Sequence, residues 1–252
     1  MYFGKNTHTE MPGSEKTAGV KAPLPWSQRF VQLAEEARDP RIKAFYCAGM
    51  VDESTPLEEV PLLAMDFETT GFDSSKHGIV SIGLVPMSHR RIHCREARHW
   101  VVKPRVALDE TSVVIHGITH SDVAAAPDLS DVIDELLEYM AGRVIVVHHR
   151  SIERAFLDVA LKARTGEGIQ FPVIDTMELE ARLHRSKAPG IIDWLLRRRP
   201  ASIRLADSRE RYHLPYYRPH HALTDALATA ELLQAQIAHR FSPQQAISEL
   251  WQ

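Results

Sequence analysis

Leu62-Leu63-Ala64-Met65-Asp66-Phe67-Glu68-Thr69-Thr70-Gly71 is the stretch that decides the fold of this chain. Four apolar residues run into Asp66 and the run stops at Thr70-Gly71, the pattern of a buried strand that ends in a turn. Side chains two apart on a strand share a face, so Asp66 and Glu68 project side by side. Carboxylates held that close repel each other, and a hard divalent cation relieves the repulsion. A lone Asp-x-Glu at a strand end is also the pattern of solvated acids. The tight Thr-Thr-Gly turn adds weight to a ligand site, because it lets a ligand approach backbone amides.

Two further stretches join it. Arg143-Val144-Ile145-Val146-Val147 is a β-branched run suited to a central strand, and His148 falls at its end. Ser151-Ile152-Glu153-Arg154-Ala155-Phe156-Leu157 then reads as a helix start, with Ser151 as N-cap. Glu153 in its first turn fits either the helix dipole or a ligand role. Downstream, Ala222 to Ala238 is an amphipathic helix with Leu223, Leu227, Ala230, Leu233 and Ile237 at helical spacing. Asp225 lies in its first turn and His220 on the loop before it, after Pro219. An imidazole is thereby held at a short, fixed separation from a rigid carboxylate.

In this order the three stretches resemble the DnaQ-like 3′–5′ exonucleases of the DEDDh class, whose fold is RNase H-like. Asp66, Glu68, Thr69, Thr70 and Gly71 match the first motif of that family. His116-Gly117-Ile118-Thr119 matches the linking motif, and His220, Ala222, Leu223, Asp225 and Ala226 match the third. The resemblance runs from about Pro61 to about Ala238. The second motif departs from the family's H-N-x-x-F-D: here it reads His148-His149-Arg150-Ser151-Ile152-Glu153, with a glutamate one methylene longer than the usual aspartate. Asp158, one turn on, is a weaker substitute.

The resemblance implies two divalent cations, Mg²⁺ or Mn²⁺, with Asp66 bridging them, Glu68 and Asp225 on one side and Glu153 more peripheral. His220 would take the proton of the attacking water, a role that suits the side chain whose charge changes near neutral pH. Thr69, Thr70, His116 and His148 would face the terminal nucleotide. The partners implied are the 3′ end of a single-stranded nucleic acid and a nucleoside monophosphate product. Two other readings stand beside a general exonuclease: one restricted to short oligonucleotides, and a non-catalytic nucleic-acid-binding or adaptor domain on a degraded exonuclease fold. The retained acids and histidine argue for chemistry.

The composition is that of a soluble globular protein: 252 residues, 44% hydrophobic, 25% charged, net charge −3. That charge argues against a strongly basic, non-specific binder of nucleic acid, but not against an enzyme gripping a few nucleotides. Local basic character lies in Arg197-Arg198-Arg199, Arg204, Arg209 and Arg211. Arg and Tyr alternate through Tyr212, Tyr216, Tyr217 and Arg218, which fits either phosphate and base contacts or a solvated face. Cys47 and Cys94 have no metal-ligand spacing. With no apolar leader and no membrane-length run, the expectation is a reduced cytoplasmic protein without a membrane partner.

Residues 1–23 read as a flexible N-terminal tail, 24–60 as a helical appendage, 61–240 as the exonuclease domain and 241–252 as a C-terminal tail. Within the domain, strands are expected from Ile79 to Val85, from Glu96 to Val102 and around Phe171 to Ile174, with a helix from Asp128 to Met140 and a helix cap at Asp175-Thr176. Strands first and β-α alternation afterwards predict a mixed five-stranded α/β sheet with helices on both faces.

Overall fold

The computed structural model describes residues 24–106, 117–185 and 201–252. Strand β1 spans Leu62–Thr69, and its alternation divides it between two cores. Leu63, Met65 and Phe67 enter one core, while Leu62 and Ala64 enter the other. Asp66 and Glu68 continue that second face beyond the point where its apolar residues stop. Strands β2 (Ile79–Met87), β3 (Arg98–Val101), β4 (Val144–Val147) and β5 (Val173–Asp175) complete a mixed sheet in the order β3-β2-β1-β4-β5. The first three strands form an antiparallel meander, and β4 and β5 add in parallel to β1. β5 begins two residues later than expected, because Pro172 has no N–H for the ladder.

Helices α1 (Trp26–Glu36) and α2 (Pro40–Cys47) pack on the first face through Phe30, Phe45 and Tyr46, whose ring centroids lie 5.1–5.4 Å apart. α3 (His120–Ala125) starts at a capping box made by Thr119 and Asp122. The single helix expected from Asp128 to Met140 is broken. Asp128 accepts from the Ser130 amide at 2.9 Å and closes a 3₁₀ turn over Leu129–Asp131, and α4 begins only at Ile133, ending at Met140.

α5 (Arg150–Thr165) follows β4, and α6 (Thr176–Arg185) follows β5. Ser151 is not the N-cap of α5. The residue at that position is His149, with φ +114°, and the Asp175 carboxylate receives the His149 and Arg150 amides at 3.1 and 3.0 Å. α7 (Leu205–Arg211) leads to α8 (Ala222–Arg240), which covers the second face with Ala226, Ala230, Leu233 and Ile237. The last dozen residues pack on that same core. Ile247, Leu250 and Trp251 are buried, and Gln252 exchanges backbone hydrogen bonds with Val173 at 2.9 and 3.2 Å.

Candidate active site

The C-terminal end of β1 and the first turn of α8 meet because β2 carries a glycine between them. Gly83 pairs with Asp66 across the ladder, and a Cβ on Gly83 would lie 2.3 Å from the Ala222 carbonyl. Without that side chain the helix start sits directly on the strand. Carboxylate oxygens of Asp66, Glu68 and Asp225 consequently lie within 4.8 Å of one another. His220, in the left-handed region at φ +69°, donates its backbone N–H to Asp225 Oδ2 at 2.7 Å. Its side chain belongs to an exposed loop residue. His221 caps α8, its Nδ1 receiving the Thr224 amide at 3.4 Å, and its ring lies 4.7 Å from that of His99.

Glu153 comes from the first turn of α5 and is 3% exposed, with one carboxylate oxygen lacking any hydrogen-bond partner. It lies outside the tight group of three, yet it is the strongest charged influence on Asp66. Burial first, then Glu153, Asp225 and Glu68, hold the Asp66 carboxyl well above its usual range. Burial and Asp225 push Glu68 up to about 8, burial pushes Glu153 up to about 8, and burial raises Asp225. Among the described residues, no lysine or arginine opposes the shifts of Asp66, Glu68 and Glu153, while His220 and His221 pull Asp225 the other way. Four carboxylates, one with an orphaned oxygen and none paired with a lysine or arginine among the described residues, form a donor set suited to hard divalent cations.

The remaining sequence candidates are placed as follows. Thr70 is buried, its hydroxyl 3.1 Å from His77 Nδ1 and accepting the Gly78 amide at 3.1 Å; Thr69 donates its hydroxyl to the Gly71 carbonyl at 2.8 Å. Both hydroxyls therefore build the turn after β1. Both ring nitrogens of His148 are engaged, Nδ1 with Thr176 Oγ1 at 2.8 Å and Nε2 with the Ile203 carbonyl at 3.1 Å, and burial pushes its imidazole down to about 4. His116 and Arg197-Arg198-Arg199 lie outside the described residues. Asp158 is turned to Lys162 Nζ, 2.6 Å away, and to the Ile169 amide.

The Arg/Tyr segment is mostly committed to the fold. Arg209 and Tyr217 bind Glu231, and Arg211 and Tyr212 bind Glu180, leaving Tyr216 exposed. Two contributors are not legible in the sequence: Gly83, whose need is set by a helix distant in sequence, and Asp175, which reads there only as a helix cap; Phe72 lies 88% exposed on the turn after Gly71.

Residues 63–233 match the exonuclease family RNase_T. The chain belongs to that family. It is 26% identical over 215 residues to a DNA polymerase III PolC-type of Caldanaerobacter subterraneus subsp. tengcongensis, covering 81% of this chain and 14% of that protein. It is 30% identical over 178 residues to a DNA polymerase III subunit epsilon-like protein of Rhodobacter capsulatus, covering 70% of this chain and 24% of that one. The chain thus spans at most about a quarter of these two relatives. Among solved structures, it superposes on the nuclease domain of 3′hExo, a DEDDh family member bound to rAMP, with TM-score 0.59, 17% identity and coverage of 71% and 92% of the two chains. On Exonuclease X in complex with 5′ overhanging duplex DNA the values are 0.54, 25%, 73% and 96%. The RNase H-like fold and the DnaQ-like exonuclease assignment implied by the motifs hold. Among the described residues, no helix is long and apolar enough to cross a membrane.

Proposed function

We propose that this chain removes nucleotides from the 3′ end of single-stranded DNA or RNA, releasing nucleoside monophosphates, with two divalent cations (Mg²⁺ or Mn²⁺) and His220 as general base. The observation that carries this reading is the group of Asp66, Glu68 and Asp225 within 4.8 Å, with Glu153, one oxygen of which has no hydrogen-bond partner, acting on Asp66. Their mutual repulsion is relieved by protonation or by a cation, and at neutral pH a cation does so more completely. Asp66, Glu68, Asp225 and Glu153 hold the cations, which when bound lower the pKa of water and offset charge on the leaving oxygen.

His220 takes the proton of the attacking water. The hydrogen bond that its backbone N–H donates to Asp225 ties the position of the base to that of a ligand. Thr69 and Thr70 meet the terminal nucleotide through the turn they build, and Phe72 on that turn offers a face for base stacking. His148 acts by holding the Ile203 segment. A histidine beside the acids favours catalysis over a binding module, and kinship with DNA polymerase III chains makes DNA the first substrate to test.

The test is a time course with 5′-labelled single-stranded DNA and RNA in Mg²⁺ or Mn²⁺. A ladder shortening from the 3′ end and abolished by EDTA is expected; no cleavage of any substrate overturns the reading. His220→Ala lowers turnover by about 10²–10⁴ and leaves oligonucleotide affinity in place. Lost affinity with normal turnover would make His220 a binding residue instead.

A further inference from the structure

The turn between β2 and β3 concentrates positive charge in a chain whose net charge is −3. Arg90, Arg91 and Arg95 are exposed there, and no carboxylate pairs with any of them among the described residues. Several guanidinium groups elsewhere meet a carboxylate: Arg41 lies 2.7 Å from Asp39, Arg98 2.8 Å from Glu135, and Arg164 2.8 Å from Asp128. The one acid in the turn region, Glu96, faces His93 at 3.4 Å. Three like charges left together raise the free energy of the isolated chain, so their clustering points to a polyanion that arrives from outside.

The turn is built to hold them in place. The Ser88 amide donates to the Arg91 carbonyl at 2.7 Å, the Ser88 hydroxyl accepts the Arg91 amide at 3.1 Å, and the His93 amide closes on the Pro86 carbonyl at 2.9 Å. Gln234 of α8 donates to the Ser88 carbonyl at 3.3 Å, which fixes the turn to the helix that carries Asp225. Two rulers give its distance from the carboxylates. Nine helical residues separate Asp225 from Gln234, about 14 Å of rise. Gly83 pairs with Asp66, and Met87 lies four strand residues on, about 13 Å. A strand whose 3′ end sits at the carboxylates reaches that far with its next few nucleotides.

We propose that Arg90, Arg91 and Arg95 form a platform for the phosphates of the nucleic-acid strand several nucleotides to the 5′ side of the bond being cut. The platform rests on the exonuclease reading of the carboxylate site. It confers affinity for long strands without sequence preference, because it addresses the backbone alone. A dinucleotide occupies the carboxylate site without touching it.

The experiment compares the unmodified chain with R90E/R91E/R95E, and with the milder R90Q/R91Q/R95Q, on a dinucleotide and on a strand of about 16 nucleotides, the upper end of a single-strand footprint. The KM for the long strand rises about tenfold in the charge-reversed chain, and the slope of log affinity against log salt shrinks by about 2 for three lost phosphate contacts. Turnover of the dinucleotide is unchanged. An unchanged KM and salt slope on the long strand overturn the proposal. Equal losses on both lengths also overturn it, since the arginines would then act on the site or the fold. Fluorescence anisotropy with the long strand in EDTA reads the platform even if neither substrate is cut, so failure of the exonuclease reading is distinguishable from failure of the platform.

Discussion

Glu153 and Glu180 are both glutamates on helices that follow parallel strands, 3% and 1% exposed, yet the fold treats them oppositely. Glu180 is surrounded by donors: Arg211 at 2.7 Å, and Tyr212 and Gln236 at 2.9 Å. Burial pushes its carboxyl up, but those hydrogen bonds outweigh burial and hold it below its usual value. Glu153 has an oxygen with no partner, and burial carries it up to about 8. An acid that the fold has neutralised is scaffold. An acid buried beside other acids and left without a counter-charge is energetically costly, and a ligand is the means of recovering that cost.

The comparison breaks if Asp66, at the centre of the unneutralised group, can be altered without consequence. Asp66→Asn lowers exonuclease turnover by about three orders of magnitude and weakens Mn²⁺ binding measured by calorimetry. The metal-free protein becomes more stable to heat, because the substitution removes repulsion from Glu153, Asp225 and Glu68. Unchanged turnover with unchanged metal binding would remove Asp66 from the site.

The scaffold acid has the opposite profile. Glu180→Ala leaves Arg211, Tyr212 and Gln236 short of an acceptor, at a cost of about 2–3 kcal/mol, discounted because the Arg211 side chain is 30% exposed. Thermal melting should drop by about 8 °C with metal affinity unchanged. A loss of metal affinity without a loss of stability would mean that Glu180 belongs to the active group.

Much of this was legible in the sequence, and for a definable reason. Asp66, Glu68 and Asp225 are fixed by local periodicity, i and i+2 on a strand and the first turn of a helix, so their spacing in the sequence carries their geometry. Glu153 was legible as a departure from a motif. The N-terminus of α5 was not, because the group that satisfies its amides is Asp175, more than twenty residues on. Gly83 is silent for the same reason: the contact that forbids a Cβ comes from Ala222. The Arg/Tyr segment stays open between two readings in the sequence because composition does not reveal which cations already have internal partners.

Acidity separates the two groups without mutation. Glu68 and Glu153 have an ordinary value of 4.5 and sit at about 8 in the folded chain. The folded state therefore holds extra protons between those values, and its stability falls as pH rises through that window. His148 works the other way, from 6.5 down to about 4, so its contribution is complete above 6.5 and is lost as pH falls through 4. Above pH 6.5 His148 no longer contributes to the slope, and the raised site carboxyls, Asp66 among them, set it. Melting in EDTA should drop by about 5 °C between pH 6.5 and 8, and saturating Mg²⁺ should abolish the drop. A flat profile in EDTA would mean that the site carboxylates are not strained.

The smallest and sharpest effect concerns the methylene that distinguishes Glu153 from the aspartate usual in the family. Glu153→Asp removes one buried CH₂, worth about 1 kcal/mol of stability, and shifts the carboxylate relative to Asp66. If Glu153 is a ligand, activity stays within about tenfold of the unmodified chain or rises, whereas Glu153→Ala loses about 100-fold and weakens Mn²⁺ binding. If the two variants match in turnover and in metal affinity, the orphaned oxygen has no metal to meet. The unneutralised group then shrinks to Asp66, Glu68 and Asp225, and Glu153 becomes a buried acid that neither scaffold nor ligand explains.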